Sequence, residues 1–187
     1  AFVTKAPRGV AVAKGHLGTG KATAAWTFPE SMAGVGAVRA SLNDLVRYVQ
    51  VQLAPDRVPS LASAIRRSQE KLAEAGQSVA WGWMVRNDPA GNLYAHEGGT
   101  GGFSSLALFQ PATGKGVVIL SDTALTDLGG LGDVARALLA GDAGGLAPRR
   151  EQDAPAALLA ALEGDWLING GLPMRLWQES GELWTQA

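Results

Sequence analysis

The chain has no cysteine and only two histidines in 187 residues. The first absence excludes disulfides, thiol nucleophiles and thiolate metal sites, and leaves the redox compartment open. An excess of charge of one sign is also missing. Lysine and arginine number 16 against 17 acidic residues, net −1, and the signs are interspersed, so there is no footprint for nucleic acid or an anionic membrane. No apolar run approaches the length of a membrane span, and no charged-then-apolar export pattern is visible in these residues. The length corresponds to about one to one and a half domains, enough for a substantial core.

What the chain does have is glycine in one conspicuous place. His96-Glu97-Gly98-Gly99-Thr100-Gly101-Gly102-Phe103 puts four glycines and a threonine beside a titratable side chain. It lies between runs that read as strands, residues 79–86 and 93–96 before it and 103–110 after it. Glycine at that density lets another molecule approach the backbone, since no Cβ stands in the way. A strand edge without side chains leaves N–H groups able to bind an anion or a developing oxyanion. The competing reading is a glycine-rich bulge at a sheet corner.

Along the chain, residues 9–16 and 22–28 read as short extended arms around the turn Gly18-Thr19-Gly20-Lys21. Ser41 is placed as a helix N-cap with Asp44 in the first turn. Leu42, Leu45, Val46, Val49 and Leu53 follow at helical spacing. Pro59-Ser60 opens a second expected helix, with Leu61, Ala64, Ile65 and Leu72 inward and Gly76 closing it. From residue 79 the period becomes that of strands, with loops at 87–92 and 111–115 and an apolar run at 117–120. Such short connections force antiparallel neighbours. Residues 131–139 read as a helix on the sheet. The expected class is α+β, an antiparallel meander flanked by helices. Residues 142–155, rich in Gly, Pro and charge, read as a linker. Beyond them come a helical turn at 158–162 and a hairpin of 172–178 with 182–186.

Two further patterns bear on chemistry. Gly15-His16-Leu17-Gly18-Thr19-Gly20-Lys21 has the glycine and lysine spacing of a P-loop, and residues 117–122 imitate a metal-holding strand end. Ala22 stands where a magnesium-binding hydroxyl belongs and no helix follows, so a hairpin turn is the better reading. Ser68-Gln69-Glu70-Lys71 matches Ser-x-x-Lys, but in a charged segment.

The glycine-rich box resembles the third motif of the serine β-lactamase and penicillin-binding-protein superfamily, a Lys-Thr-Gly or His-x-Gly strand. It is most similar to the class C β-lactamase-like branch of esterases and D-amino-acid peptidases, where the box continues as Thr-Gly-Gly-Phe. Ala33-Gly34-Val35-Gly36-Ala37-Val38-Arg39-Ala40-Ser41 with Asp44-Leu45, Trp81-Gly82-Trp83, and Gln110-Pro111 through residues 117–122 resemble the segments around that box, so residues 10–139 are covered. The resemblance implies a C-terminal part of a serine hydrolase domain over 1–141, the linker, and the start of an appended β-rich domain over 156–187. It implies acyl-enzyme chemistry on an ester, amide or β-lactam-like substrate, without cofactor or metal. The Ser-x-x-Lys and Tyr-x-Asn boxes of the family precede the matching segment. The nucleophile is therefore expected from other polypeptide, a separate N-terminal half included, and a sheet edge is expected to lack its neighbour.

By the same resemblance His96 takes the place of the basic residue of the box and Gly99 offers an oxyanion N–H. Gly98, Thr100 and Gly101 line the substrate. Glu97 points away from His96 by strand alternation. Phe103, Trp81 and Trp83 read as core, and His16 as an ordinary strand or loop residue. Histidine carries charge only partly at neutral pH where lysine carries it permanently, which favours ester or peptide substrates over β-lactams. A periplasmic or extracellular location is expected from the family alone. The alternatives carried forward are a non-catalytic acyl-ligand or cell-wall-binding homologue and the nucleotide binder.

Overall fold

A computed structural model describes residues 3–75, 77–125, 130–142, 154–168 and 172–186. The chain divides into two compact units, Ala1–Arg150 and Glu151–Ala187.

The first unit begins with a small hairpin, β1 (Gly15–His16) and β2 (Ala22–Thr23), then a short helix α1 (Ala33–Gly36). Helix α2 (Leu42–Leu53) starts at a complete capping box. The Ser41 hydroxyl accepts from the Asp44 N–H at 3.3 Å, and the Asp44 carboxylate accepts from the Ser41 N–H at 3.3 Å. Two of the otherwise unpaired N–H groups of the first turn are thereby satisfied. Helix α3 (Ala62–Ser68) follows. Six strands then form one antiparallel sheet in sequence order: β3 (Ala73–Ala75), β4 (Gln77–Ala80), β5 (Trp83–Asp88), β6 (Gly91–Thr100), β7 (Phe103–Gln110) and β8 (Lys115–Ser121). Helix α4 (Gly132–Ala140) closes the unit.

Strand alternation sends successive side chains to opposite faces, and both faces are covered. On one, Val49 of α2 packs with Ala80, Trp83, Val85, Tyr94 and Phe109. On the other, Leu131 and Ala135 of the α4 region pack with Leu93, Leu106, Leu108 and Leu125. Phe109 is 0% exposed. Its ring meets the edge of Trp83 at 4.9 Å and stacks on Tyr94 at 5.1 Å, while Tyr48 of α2 stacks over Trp83 at 6.0 Å. Gly116 admits α2 to the sheet, because a Cβ there would fall 2.5 Å from a Val49 methyl. Polar groups in this core are paired. Tyr94 donates its hydroxyl to the Gln69 carbonyl at 2.9 Å, and the Gln69 amide donates to the buried Gln52 carbonyl at 2.9 Å. On the opposite face, the Glu97 carboxylate accepts the N–H of Leu131 at the start of α4.

Several sequence expectations change. The arms at 9–16 and 22–28 shrink to two residues each. The second helix ends at Ser68, whose hydroxyl turns back to the Ile65 carbonyl at 2.7 Å. Leu61, Ala64 and Leu72 are exposed rather than inward, leaving Ile65 buried, and residues 73–75 pair with β4 instead of extending the helix. Gly76, the expected stop, lies outside the described residues. The run 79–86 is broken by a two-residue turn at Trp81-Gly82, where Gly82 has φ +79°. Trp83 is therefore core at 6% exposed while Trp81 is 54% exposed, not its partner on one face. On its outer side β8 meets no strand among the described residues, apart from a bridge between His16 and Thr123 beyond its end.

The second unit holds α5 (Ala156–Leu162) and a three-stranded antiparallel sheet ordered β11-β10-β9, from β9 (Gly164–Ile168), β10 (Leu172–Glu179) and β11 (Glu182–Gln186). Ser180 and Gly181, at φ 55° and 82°, make the tight primed turn that suits the twist of paired strands. The Trp166 indole donates to the Leu162 carbonyl at 2.8 Å, and the Glu163 carboxylate accepts the Gln178 N–H at 2.8 Å, joining helix end to sheet. Strand β9 is an addition to the expected hairpin. Of the expected linker, residues 143–153 lie outside the described residues.

Phe109→Ala removes the ring against which Trp83 and Tyr94 both pack, so urea unfolding should show a loss of about 3–5 kcal/mol. Glu97→Ala, which deletes a charged acceptor at a helix start, should cost about 1–2 kcal/mol in the same measurement.

Candidate active site

The glycine-rich box is the end of one strand and the turn after it. Strand β6 is ten residues long and β5 six. Their pairing starts at Asp88–Gly91 and ends at Met84–Ala95. Residues 96–100 therefore outrun β5 and, among the described residues, keep a strand partner on one side only, where His96, Gly98 and Thr100 face Ala107, Ser105 and Phe103 of β7.

The two-residue connection Gly101-Gly102 makes Thr100 and Phe103 the pair that exchanges both backbone hydrogen bonds. Alternation in an antiparallel ladder then turns the N–H groups of Gly98 and His96 toward β7. Those of Glu97 and Gly99 turn the other way, to the edge that β5 has left. Gly99 is exposed and has no side chain, so its N–H stands open to an approaching oxygen. A donor fixed by a paired strand and aimed at an open edge has the geometry of an oxyanion site.

Side chains sort by the same alternation. His96, Gly98 and Thr100 share the face of Tyr94, the side on which α2 packs. At the usual strand rise, Thr100 stands roughly 13 Å from His96, with Gly98 midway. His96 is exposed, and no described side chain is bonded to it. Glu97 lies behind the sheet and serves α4, as alternation requires. A Cβ at Gly130, whose φ is +67°, would run into the Glu97 carboxylate.

The glycines of the turn have other reasons. Gly102 has φ +78°, and a Cβ on it would fall 2.6 Å from the Gly15 Cα. Its carbonyl accepts the His16 N–H at 3.1 Å. Gly101 lies under the indole of Trp26, leaving no room for a side chain. Phe103 is half-buried and packs against Gly15 rather than in either core cluster. The structure thus brings His96, Gly98, Gly99 and Thr100 together at an open edge, while Gly101 belongs to the packed turn beside it.

Other motifs dissolve. The segment 15–21 is the β1–β2 hairpin, closed by the Leu17 N–H to the Lys21 carbonyl at 2.8 Å and the Gly20 N–H to the Leu17 carbonyl at 2.9 Å. No helix begins within the next six residues, so a phosphate would find no helix start there. The Asp122 carbonyl is taken by His16, accepting its backbone N–H at 2.8 Å and lying 3.0 Å from its Nδ1. Ser68 is the last residue of α3. Lys71 lies beyond the helix, donating to Asn87 Oδ1 at 2.7 Å, so the two do not form a serine–lysine pair on one helix face. Burial pushes the Tyr48 hydroxyl above its ordinary pKa, against a hydrogen bond with Gln52 that lowers it, and the phenol stays protonated at neutral pH. Among the described residues no group of three or more His, Asp or Glu side chains can hold a metal ion, and no helix is long and apolar enough to cross a membrane.

The sequence reading passed over Trp26, Phe28 and Gly36. The Trp26 and Phe28 rings meet edge-to-face at 6.4 Å. A Cβ on Gly36 would lie 3.5 Å from Phe28 and 3.8 Å from the Thr100 methyl. These residues wall the Thr100 end of the site. Trp26 and Phe28 lie in irregular chain, where periodicity says nothing.

Comparison with known proteins bears on the fold. The crystal structure of SurE is 22% identical, with a TM-score of 0.58, over 100% of this chain and 47% of that one. The crystal structure of SurE with D-Leu gives 22% identity and a TM-score of 0.50 over 83% and 39%. The octameric penicillin-binding protein homologue from Pyrococcus abyssi gives 18% and 0.47 over 89% and 41%. The chain spans less than half the length of each. No curated protein matches it. The beta-lactamase family model matches residues 3–142, well over half of the sequence and all of the sheet just described, and on that ground the chain belongs to the beta-lactamase family.

Proposed function

We propose that the first unit is one wall of an acyl-transfer site in a serine hydrolase, acting on an ester, amide or β-lactam-like substrate. The observation that carries the reading is the outrun of β6, which leaves the Gly99 N–H at an open, side-chain-poor edge and the exposed His96 imidazole three residues earlier on the same stretch. In the proposed reaction a serine hydroxyl from polypeptide outside these residues adds to the substrate carbonyl. The carbonyl oxygen becomes an oxyanion and accepts from the Gly99 N–H. The C–X bond then breaks, the leaving group takes the proton lost by the serine, and water later hydrolyses the serine ester. His96 holds either a proton for that exchange or a substrate carboxylate. Thr100 and Gly98 border the acyl group. Ester and peptide substrates fit better than β-lactams, because an imidazole at neutral pH attracts a carboxylate less than an ammonium does.

The reading predicts that this chain alone forms no adduct with a fluorophosphonate or penicillin probe by intact-mass spectrometry. A labelled serine, Ser68 above all, would refute it. It also predicts that a small ester shifts the Gly99 amide resonance of the ¹⁵N-labelled chain, and that His96→Ala weakens this binding at least about threefold. The same substitution should leave stability within about 0.5 kcal/mol, since an exposed side chain without partners holds nothing in place.

A further inference from the structure

His16, at the end of β1, sits between the Gly101-Gly102 turn and the segment that follows β8. Its backbone N–H is shared, 3.1 Å from the Gly102 carbonyl and 2.8 Å from the Asp122 carbonyl. Its own carbonyl accepts the Ala124 N–H at 2.8 Å. One residue on, the Leu125 N–H donates to the buried Ser104 hydroxyl oxygen at 2.8 Å. Ser104 is the residue that faces Gly99 in the β6–β7 ladder. Residues 122–125 therefore tie β1 to the start of β7, directly across from the Gly99 backbone.

The side chain adds a contact of its own. Nδ1 of His16 lies 3.0 Å from the Asp122 carbonyl oxygen and 3.6 Å from the Asp122 carboxylate. A carbonyl oxygen only accepts, so Nδ1 carries the proton and neutral His16 is the Nδ1–H tautomer. Two donors of one residue converge on one oxygen and use both of its lone pairs. The geometry points to His16 as a positioning residue for the Gly99 N–H. Its imidazole locks the segment 122–125 in place, and that segment holds the far side of the β6–β7 ladder through Ser104. Its backbone meanwhile holds the turn through Gly102. Beyond Ala95 the strand has β7 on one side only among the described residues, and a hydrogen bond weakens steeply as its angle falls. This second brace keeps the donor aimed. The inference rests on the acyl-transfer reading for what that donor binds.

The test uses the ¹⁵N-labelled full chain and phenyl acetate. His16→Ala should shift the Gly99 amide resonance without ester present. It should also weaken ester binding about fivefold, the worth of one hydrogen bond lost to misalignment. His16→Asn, whose side-chain amide nitrogen can stand in for Nδ1, should restore both. Thr19→Ala alters the β1–β2 turn, where the threonine hydroxyl accepts the Lys21 N–H at 3.4 Å, and should change neither. Should His16→Ala unfold, the imidazole ¹⁵N shifts of the unaltered chain decide: protonated Nδ1 upholds the brace, and a proton on Nε2 alone overturns it. A Gly99 resonance unmoved by His16→Ala in a folded chain, or moved equally by Thr19→Ala, overturns the inference and leaves the acyl-transfer reading standing. If the unaltered chain binds no ester, the acyl-transfer reading falls, while the Gly99 resonance still decides whether His16 holds the strand end.

Discussion

Strand β5 ends and strand β6 begins at one tight turn, but β6 runs ten residues and β5 six. That mismatch in length is the constraint from which the site follows. Backbone N–H and C=O groups inside a sheet are almost always paired. A strand that continues past its neighbour carries its unpaired groups to a place where they are held rigidly by the other neighbour yet remain available. Here β7 supplies the rigidity along the whole of residues 94–100, and the Trp81-Gly82 turn sets where the opening begins. A single residue added to β5 at that turn would start to close it.

Glycine serves two purposes within one short stretch, and only the structure separates them. Gly101 and Gly102 are demanded by close packing, against the Trp26 ring and the Gly15 backbone. Gly98 and Gly99 are exposed, and the nearest atom a Cβ on Gly98 would meet is the Ser105 hydroxyl at 3.5 Å, an ordinary contact. Nothing in the fold forbids side chains at Gly98. No contact within the described residues accounts for its bareness. Packing at the corner therefore accounts for Gly101 and Gly102, while Gly98 and Gly99 lie on the stretch that β5 leaves open.

The sequence made the central hairpins legible because their signals were local. Alternating apolar residues bounded by turn chemistry placed β7 at residues 103–110 to the residue, and the Ser41–Asp44 capping box marked the start of α2. Errors arose where a decision depended on a distant partner. The 73–75 strand has no strong pattern of its own and exists because β4 offers it an edge. Trp81 and Trp83 look equivalent at a spacing of two, and only the turn between them sends one to solvent and one under Tyr48. At the site, the row of His96, Gly98 and Thr100 followed from alternation, whereas Trp26 and Phe28 reach it from irregular chain some seventy residues earlier in sequence. No periodicity announces a contact of that kind.

His96 and Glu97 show how a sheet can separate support from chemistry. Adjacent in sequence, they emerge on opposite faces. Glu97 turns inward to the start of α4, where the carboxylate meets both an unpaired N–H and the positive end of the helix dipole. That tie fixes the backbone on which His96 stands, while the imidazole itself is exposed on the other face. The arrangement asks for a carboxylate of some length at position 97, because a shorter one would not reach the Leu131 N–H across the back of the sheet. A threonine there, as in the Lys-Thr-Gly form of the box, has a hydroxyl too short for that span and would have to leave α4 to be held by packing alone.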